Sequence, residues 1–123
     1  MRAPLRVVIA EADKTLRSAL HLLLAHEDNV DLVGECATHD ELVHVLESER
    51  VDVLLVDWEL PGWSPERLNG HLSGVRVVGL GGRPEWRGQI LAGGAHAFVS
   101  KLDAPDGLVR ALSDSRPRDE QLF

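Results

Sequence analysis

The sequence predicts an α/β domain in which a doubly wound, five-stranded parallel sheet carries helices on both faces. Short apolar runs alternate five times with segments of helical periodicity along the chain. Three of those runs are apolar at nearly every position, as expected of parallel strands buried on both faces. This alternation favours right-handed strand–helix–strand crossovers. The 123 residues suit one domain, which we place at 1–115, followed by a polar tail at 116–123.

The strands are predicted from runs rich in Val, Ile and Leu. Runs that are apolar on both faces lie at residues 5–10, 51–56 and 75–80. Two further runs, at 30–36 and 95–99, alternate apolar and polar residues. Such alternation is typical of a strand with one face in water, so these two runs are predicted to form the edges of the sheet.

The first two helices are predicted from leucine spacing and from capping residues. Residues 14–26 place leucines at helical spacing, and Asp13 precedes them as a helix cap. Thr38 and Glu41 form a capping box ahead of the apolar positions of a second helix.

Proline marks the start of the other three predicted helices. Ser64 and Pro65 are the cap and first residue of a short helix that ends near Leu72. Residues 84–92 predict a weaker helix, because a glycine interrupts it. Pro105 opens a last helix, whose apolar positions are Leu108, Val109 and Leu112.

Composition and charge argue against several classes of function. The chain has 13 basic and 20 acidic side chains and a net charge of −7, which argues against non-specific binding to nucleic acid or to a membrane surface. Its one cysteine, Cys36, leaves no internal disulfide and no cysteine-based metal site, so a reducing, cytoplasmic environment is expected. The apolar run at 5–10 is too short to span a membrane.

Charged residues gather just after the predicted strands. Glu11 and Asp13 follow the first strand. Asp57 and Glu59 follow the third, and Lys101 follows the fifth. The carboxyl ends of parallel strands meet at one edge of the sheet, where a doubly wound fold places its site. Each residue alone is more often a helix cap or a solvated charge, so it is their joint placement that favours a functional site.

Carboxylates crowded at one edge repel each other unless a cation lies between them. Carboxylate oxygens suit Mg²⁺, which keeps several waters and also binds phosphate, while a lysine suits a phosphoryl oxygen as a point charge. A carboxylate nucleophile, a metal ion and a lysine together can accept a phosphoryl group. The strand ends therefore predict a phosphoryl-accepting site.

Three segments in order carry a family resemblance: VVIAEADKTLRSALHLLL at 7–24, VDVLLVDWELPG at 51–62 and AGGAHAFVSKLDAP at 92–105. In this order and spacing, the chain resembles the receiver domains of bacterial response regulators, of the chemotaxis-regulator and NarL/FixJ types. The resemblance covers roughly residues 5–113. It implies a flavodoxin-like sheet of strand order 2-1-3-4-5 and a part in two-component phosphorelay signalling.

The resemblance also implies roles for individual residues. Asp57 matches the phosphoacceptor, which takes a phosphoryl group from a histidine kinase or a phosphotransfer protein with Mg²⁺. Lys101 matches the lysine that pairs with the acceptor and with its phosphoryl oxygen. Glu11 and Asp57 are then metal ligands, together with the backbone carbonyl of Glu59. Phe98 matches an aromatic residue that changes rotamer on activation.

Three departures from the family's pattern bear on this chemistry. Ala12 stands where a second acidic metal ligand is usual, so the Mg²⁺ site is expected to be weakened or absent. Asp13 is expected to cap the helix, and whether it or the longer Glu11 replaces the missing ligand stays open. Gly81 stands at the switch position where a Ser or Thr usually contacts the phosphoryl group. The segment 81–94 is shorter than usual, which predicts a stunted fourth helix.

Two functions fit these features. The first is a receiver domain that accepts a phosphoryl group on Asp57 with impaired Mg²⁺ dependence, and that is no enzyme beyond its own phosphotransfer. The alternative is a degenerate receiver that acts as a phosphorylation-independent interaction or dimerisation module. A homodimer would use the face of the fourth helix, fifth strand and fifth helix. The chain is either a stand-alone regulator or the receiver part of a longer protein.

Histidines and tryptophans add little specific chemistry to the prediction. His39 and His44 lie on a surface-type helix, and the six histidines are interpreted as solvated rather than metal-binding. Trp58, Trp63 and Trp86 lie near the rim of the predicted site, where they either form a binding surface or pack locally.

Overall fold

The five strands form one parallel sheet. The computed structural model describes residues 3–68, 70–103 and 106–113. The strand order is β2-β1-β3-β4-β5, and each neighbouring pair is parallel. The predicted fold class and strand order are therefore confirmed, with β2 and β5 at the edges. The strands are β1 (Leu5–Ala10), β2 (Val30–Cys36), β3 (Val53–Asp57), β4 (Arg76–Gly81) and β5 (Ala97–Ser100).

Helices of unequal length connect the strands. Both predicted caps are confirmed: the Asp13 side chain accepts hydrogen bonds from the backbone N–H groups of Thr15 and Leu16, and Thr38 accepts one from Glu41. The described α-helices are α1 (Lys14–Ala25), α2 (His39–Ser48), α3 (Arg87–Ala92) and α4 (Asp106–Ser113). Short 3-10 helices cover Pro65–Leu68 and Pro84–Trp86. None of the helices within the described residues is long and apolar enough to cross a membrane.

The helix predicted over residues 64–72 is wrong in extent: among the described residues of that range, the helical segment is the 3-10 helix Pro65–Leu68. The Ser64 hydroxyl donates to the Glu66 carboxylate instead of capping the backbone. Gly70 and Gly74 then favour non-helical backbone, and Gly74 has a φ of 77°. The fourth predicted helix corresponds to α3 in the structure. It has six residues, so the prediction of a stunted helix is confirmed.

Two apolar clusters lie on opposite faces of the sheet. Alternation along β1 sends Val7 and Ile9 to one face and Val8 and Ala10 to the other. The first face is covered by α1 and α4 through Leu20, Leu24, Leu108 and Leu112. The second is covered by α2, the Pro65–Leu68 turn and α3 through Leu42, Leu68 and Ile90. The sheet is therefore covered on both faces.

The end of the chain is described only in part. Within α4, Leu108 and Leu112 are buried and Val109 is half-buried, as the apolar spacing predicts. The predicted helix start at Pro105 and the predicted tail at 116–123 lie outside the described residues.

Candidate functional site

Three charged side chains meet at the carboxyl edge of the sheet. The ammonium Nζ of Lys101 lies 3.0 Å from Glu11 Oε1 and 3.2 Å from Asp57 Oδ2. The two carboxylate side chains are nearly buried, with 1% and 7% of their surface exposed, while Lys101 keeps 23%. We call these three residues the charge cluster. The sequence prediction that these strand ends converge is thus confirmed in geometry.

Glu11 is held by its backbone and by its neighbours. Its N–H donates to the Cys36 carbonyl at 2.9 Å, which extends the pairing of β1 with β2 by one residue. The Arg17 guanidinium donates to the Glu11 carbonyl at 2.7 Å, and the backbone N–H of Asp13 donates to Oε2 at 3.1 Å. Burial raises the pKa of the Glu11 carboxyl above its ordinary value, although the Asp13 and Lys101 hydrogen bonds act in the opposite direction.

Asp57 is the last residue of β3 and is 5% exposed. The backbone N–H of Glu59 donates to Oδ1 at 2.9 Å, which fixes the carboxylate and brings the Glu59 backbone beside it. The following turn is anchored because His39 N–H donates to the Pro61 carbonyl at 3.1 Å. Gly62 has a φ of 79°, and a Cβ there would lie 3.1 Å from His39 Cβ. Pro61-Gly62 therefore forms a turn that other residues would strain.

Lys101 reaches the carboxylates from the turn after β5. Its N–H donates to the Gly81 carbonyl at 2.8 Å, which ties it to the end of β4. Burial alone would lower the pKa of the Lys101 ammonium, but its hydrogen bond with Glu11 and the charge of Asp57 raise it overall. Lys101 is therefore charged at neutral pH. The Lys101 ammonium is the ion-pair partner of Glu11 Oε1. That oxygen is buried and has no well-aligned hydrogen bond.

The loop after β1 supplies no second acidic side chain to the site. Ala12 is exposed. Asp13 Oδ1 accepts hydrogen bonds from Thr15 N at 2.9 Å and Leu16 N at 3.2 Å, so its carboxylate serves α1, as expected. Across the described part of the chain, no group of three His, Cys, Asp or Glu side chains is arranged to hold a metal ion. Two carboxylates remain near Lys101.

Two glycines at the end of β4 leave space beside the site, and apolar side chains from neighbouring elements fill that space. A Cβ added at Gly81 would lie 2.7 Å from Phe98 Cε1 and 2.9 Å from Ile90 Cδ1. At Gly79 it would lie 2.5 Å from Ile90 Cγ2 and 3.1 Å from Trp58 Cε3. We call Gly79 and Gly81 the glycine face of β4. Sequence reasoning found the missing hydroxyl but missed this packing, although two glycines spaced by two on a buried strand do signal a close approach.

The tryptophans near the rim pack locally. The ring centroids of Trp58 and Trp63 are 5.2 Å apart with an interplanar angle of 66°, an edge-to-face arrangement, and both rings pack on the second apolar cluster. Trp86 packs on the same cluster. Of the two interpretations of these residues, local packing is the one the contacts support.

His39 corrects the interpretation of the histidines as solvated, because it is 4% exposed. It lies at the start of α2 under the Pro61-Gly62 turn, whose backbone covers it. Cys36 is buried as expected of a small apolar residue, and burial raises the pKa of its thiol to about 12.

Solved structures share the fold of this domain. The chain superposes on the response regulator RcsB of Salmonella typhimurium with a TM-score of 0.82 and 21% identity, covering 92% of this chain and 61% of that one. It also matches a chain in the crystal structure of the P1 domain of CheA3 in complex with CheY6 from R. sphaeroides, with a TM-score of 0.80 and 17% identity, covering 92% and 97%.

Curated proteins related in sequence are transcriptional regulators. The chain is 30% identical over 76 residues to the transcriptional regulatory protein BtsR of Salmonella typhi, a match over 62% of this chain and 28% of BtsR. It is 29% identical over 117 residues to the uncharacterized transcriptional regulatory protein YvfU of Bacillus subtilis, over 90% of this chain and 56% of YvfU. No protein-family model matches the chain.

The chain therefore has the fold of a receiver domain, and its curated relatives in sequence are transcriptional regulatory proteins. It spans between about a quarter and just over half of the length of these curated relatives.

Proposed function

We propose that this receiver domain accepts a phosphoryl group on Asp57 from a histidine kinase or a phosphotransfer protein, with weakened Mg²⁺ dependence. The observation that carries the proposal is the charge cluster: a nearly buried carboxylate at the end of β3, with a lysine ammonium 3.2 Å away. A solved structure with the same fold holds CheY6 together with the P1 domain of CheA3, which supports a partner of this kind. A cytoplasmic location is part of the proposal.

The chemistry follows from the atoms of the cluster. A carboxylate oxygen of Asp57 attacks the phosphorus, so a P–O bond forms while the P–N bond of a phosphohistidine donor breaks and its electrons leave with the nitrogen. The Glu59 N–H holds Oδ1 in place during the approach. The Lys101 ammonium pairs with Oδ2 before the reaction and is positioned to pair with a phosphoryl oxygen afterwards.

The residues present fit a hydrated Mg²⁺ ion but not a strongly held one. Glu11, Asp57 and the backbone carbonyl of Glu59 would hold it, and Glu11 Oε1 is a buried oxygen with no well-aligned hydrogen bond. When bound, the ion would neutralise charge on the phosphoryl oxygens. Because Mg²⁺ binds through few carboxylates, the loss of one at Ala12 is expected to lower its affinity.

A second candidate function is that of a phosphate-independent interaction module, which acts through a homodimer at the face of α3, β5 and α4. Two observations favour it. Lys101 already forms ion pairs with both carboxylates of the cluster. Phe98 and Ile90 occupy the space that a Ser or Thr side chain at position 81 would need. Both features keep the domain in one arrangement without phosphate.

The test is phosphorylation by phosphoramidate with Mg²⁺, followed by intact-mass measurement. We expect slow addition of one phosphoryl group to the native chain and none to Asp57→Asn. Ala12→Asp restores a carboxylate beside the site and should speed the reaction roughly tenfold or more, if the metal is limiting. Ala19→Asp, at an exposed position of α1, adds the same charge elsewhere and should leave the rate unchanged.

Two results would contradict the proposal. One is no mass increase in the native chain and none in Ala12→Asp at high donor and Mg²⁺ concentrations, which would support the interaction module instead. The other is a mass increase that persists in Asp57→Asn, because the phosphoryl group would then lie on another residue.

A further inference from the structure

A cavity of about 450 Å³ lies over the second apolar cluster, toward the amino end of β4. Its walls are the Pro65–Leu68 turn and the end of α3. Both neighbours are short, because the 3-10 helix has four residues and α3 has six. Two shortened helices thus leave space over β4, and the volume of that space suits a small organic molecule.

Two glycines leave the α3 wall of the cavity without side chains. Gly93 and Gly94 follow the last residue of α3, and both line the cavity. A Cβ at Gly94 would meet no atom within 4 Å, whereas one at Gly93 would lie 3.1 Å from Trp58 Cζ2. Gly94 has a φ of 116°, a conformation that favours glycine. The wall is therefore open at Gly94 and closed behind Gly93 by the Trp58 ring.

The floor of the cavity is apolar. Val75 and Val77 are nearly buried around the start of β4, and Leu72 is half-buried. Such a floor favours the apolar body of a ligand, because contact with it removes apolar surface from water. In a small-molecule site, a few polar groups around an apolar floor fix the orientation of the ligand.

His96 supplies a hydrogen-bond donor of fixed position. Its backbone N–H donates to the Val77 carbonyl at 2.8 Å, and the Val77 N–H donates to the ring Nδ1 at 2.9 Å. A ring nitrogen that accepts a hydrogen bond carries no proton, so the imidazole proton lies on Nε2. The side chain lines the cavity and is exposed, and its Nε2 makes no hydrogen bond within the described residues.

Glu66 supplies negative charge at the cavity. Its Oε2 accepts a hydrogen bond from the Ser64 hydroxyl at 3.0 Å, and its carboxylate forms no ion pair with the part of the chain that the structure describes. No lysine or arginine is among the described residues that line the cavity. A cationic group of a ligand therefore meets an unpaired carboxylate there, whereas an anionic group is repelled.

We propose that this cavity binds a small organic cation, in which an ammonium group is joined to an apolar body that carries a hydrogen-bond acceptor. The ammonium group pairs with Glu66, and the apolar body packs on Val75 and Val77. The acceptor binds the Nε2–H of His96. Binding in this cavity does not require phosphate on Asp57, so the inference goes beyond the proposed function and does not depend on it.

The experiment is a titration of the ¹⁵N-labelled full chain with tyramine, followed by NMR. Tyramine joins an ammonium group to a phenol ring, so it carries all three features of the proposed ligand. We expect amide shifts at Val77, Gly93 and Gly94, and a shift of the Trp58 indole N–H, because that ring lies behind Gly93.

Two matched compounds test the polar contacts of the ligand. Phloretate has the same ring and chain with a carboxylate in place of the ammonium group, and it should not bind beside Glu66. Phenethylamine lacks the phenol oxygen, so it loses the hydrogen bond from His96 and should bind about two- to tenfold more weakly.

Substitutions separate the cavity from general attraction to an acidic chain. Glu66→Gln removes the charge with little change of shape and should weaken tyramine binding by about threefold. The matched control is Glu85→Gln, at an exposed position that does not line the cavity, and it should change the affinity by less than about 1.5-fold. Ser73→Phe places a ring at the exposed rim of the cavity and should also weaken binding. Tyramine should bind Asp57→Asn as it binds the native chain.

Several outcomes would overturn the inference. One is the absence of shifts at millimolar tyramine. Another is a set of shifts around Glu11 and Asp57 instead of the cavity, because the ammonium group would then bind the charge cluster. Equal losses in Glu66→Gln and Glu85→Gln, or equal binding of phloretate, would mean that Glu66 does not select the ligand. Equal affinity for phenethylamine would overturn the role of His96.

Discussion

The charge cluster and the glycine face of β4 lie at the same edge of the sheet but differ in the side chains they contain. The charge cluster holds two nearly buried carboxylates, each with an oxygen within 3.2 Å of the Lys101 ammonium. The glycine face has no side chain of its own, and Phe98 and Ile90 fill its space. The charge cluster can interact with a charged group, whereas the space beside the glycine face is filled by apolar side chains.

This difference separates two tasks that the proposed function would require. Holding a phosphoryl group would require charge, which Lys101 and Asp57 could supply. Moving the β5 surface in response would require a side chain on β4 that bonds the phosphoryl oxygen, and Gly81 has none. A ring already packed over Gly81 has no space to gain there. We therefore expect the β5 surface to be the same with and without phosphate.

The largest effect is expected from Lys101→Ala, which breaks the charge cluster. Glu11 and Asp57 would then stay nearly buried without a cation, and the free energy of unfolding should fall by about 2–4 kcal/mol at neutral pH. Urea denaturation measures it. Lys14→Ala, at an exposed position of α1, is the control and should cost less than about 0.5 kcal/mol.

The loss in Lys101→Ala should also depend on pH. The pKa of Lys101 is raised in the folded state above its ordinary 10.5, so its contribution is complete below that pH. As pH rises through the folded-state pKa, the native chain loses this stability and approaches the variant. A difference that is small at neutral pH, or that grows in strong alkali, would show that the ion pairs do not stabilise the fold.

The next largest effect is expected from Gly81→Thr, which tests the glycine face. The new Cβ meets Phe98 Cε1 and Ile90 Cδ1 below 3.0 Å, so those side chains must shift, at a cost of about 1–3 kcal/mol. NMR contacts between residue 81 and the Phe98 ring should show the ring displaced outward. Urea denaturation measures the cost.

Gly82→Thr is the matched control for the glycine face. A Cβ at Gly82 meets no atom within 4 Å, so the same substitution one residue on should cost less than about 0.5 kcal/mol. Equal losses at positions 81 and 82 would mean that backbone freedom, rather than packing of Phe98, decides the effect.

Some features of this edge were predictable from sequence because they follow from local rules. The strand ends bring Glu11, Asp57 and Lys101 together in any doubly wound sheet of this order. The cap at Asp13 follows from its place before a leucine-rich helix. Both predictions needed only the strand order and the periodicity of the chain.

Other features depend on contacts between distant segments, which no local pattern contains. Phe98 fills the space at Gly81 because β5 pairs with β4 in one particular register, Gly81 opposite Ser100. His39 is buried because the Pro61-Gly62 turn covers it from another part of the chain. The charge cluster was thus predictable, whereas the packing of the glycine face was not.

The smallest effect is expected from Asp13→Ala. This variant tests whether Asp13 replaces the metal-binding carboxylate that is missing at Ala12. Asp13 Oδ1 accepts two backbone N–H groups of α1, so its removal should cost about 1 kcal/mol of stability. The rate of phosphorylation by phosphoramidate should not change, because that carboxylate serves the helix rather than Asp57. Asp13→Ser keeps a capping oxygen and should recover most of the stability. A phosphorylation rate that falls in both variants would instead make Asp13 the replacement for the carboxylate missing at Ala12, and would move it from the helix cap into the metal site.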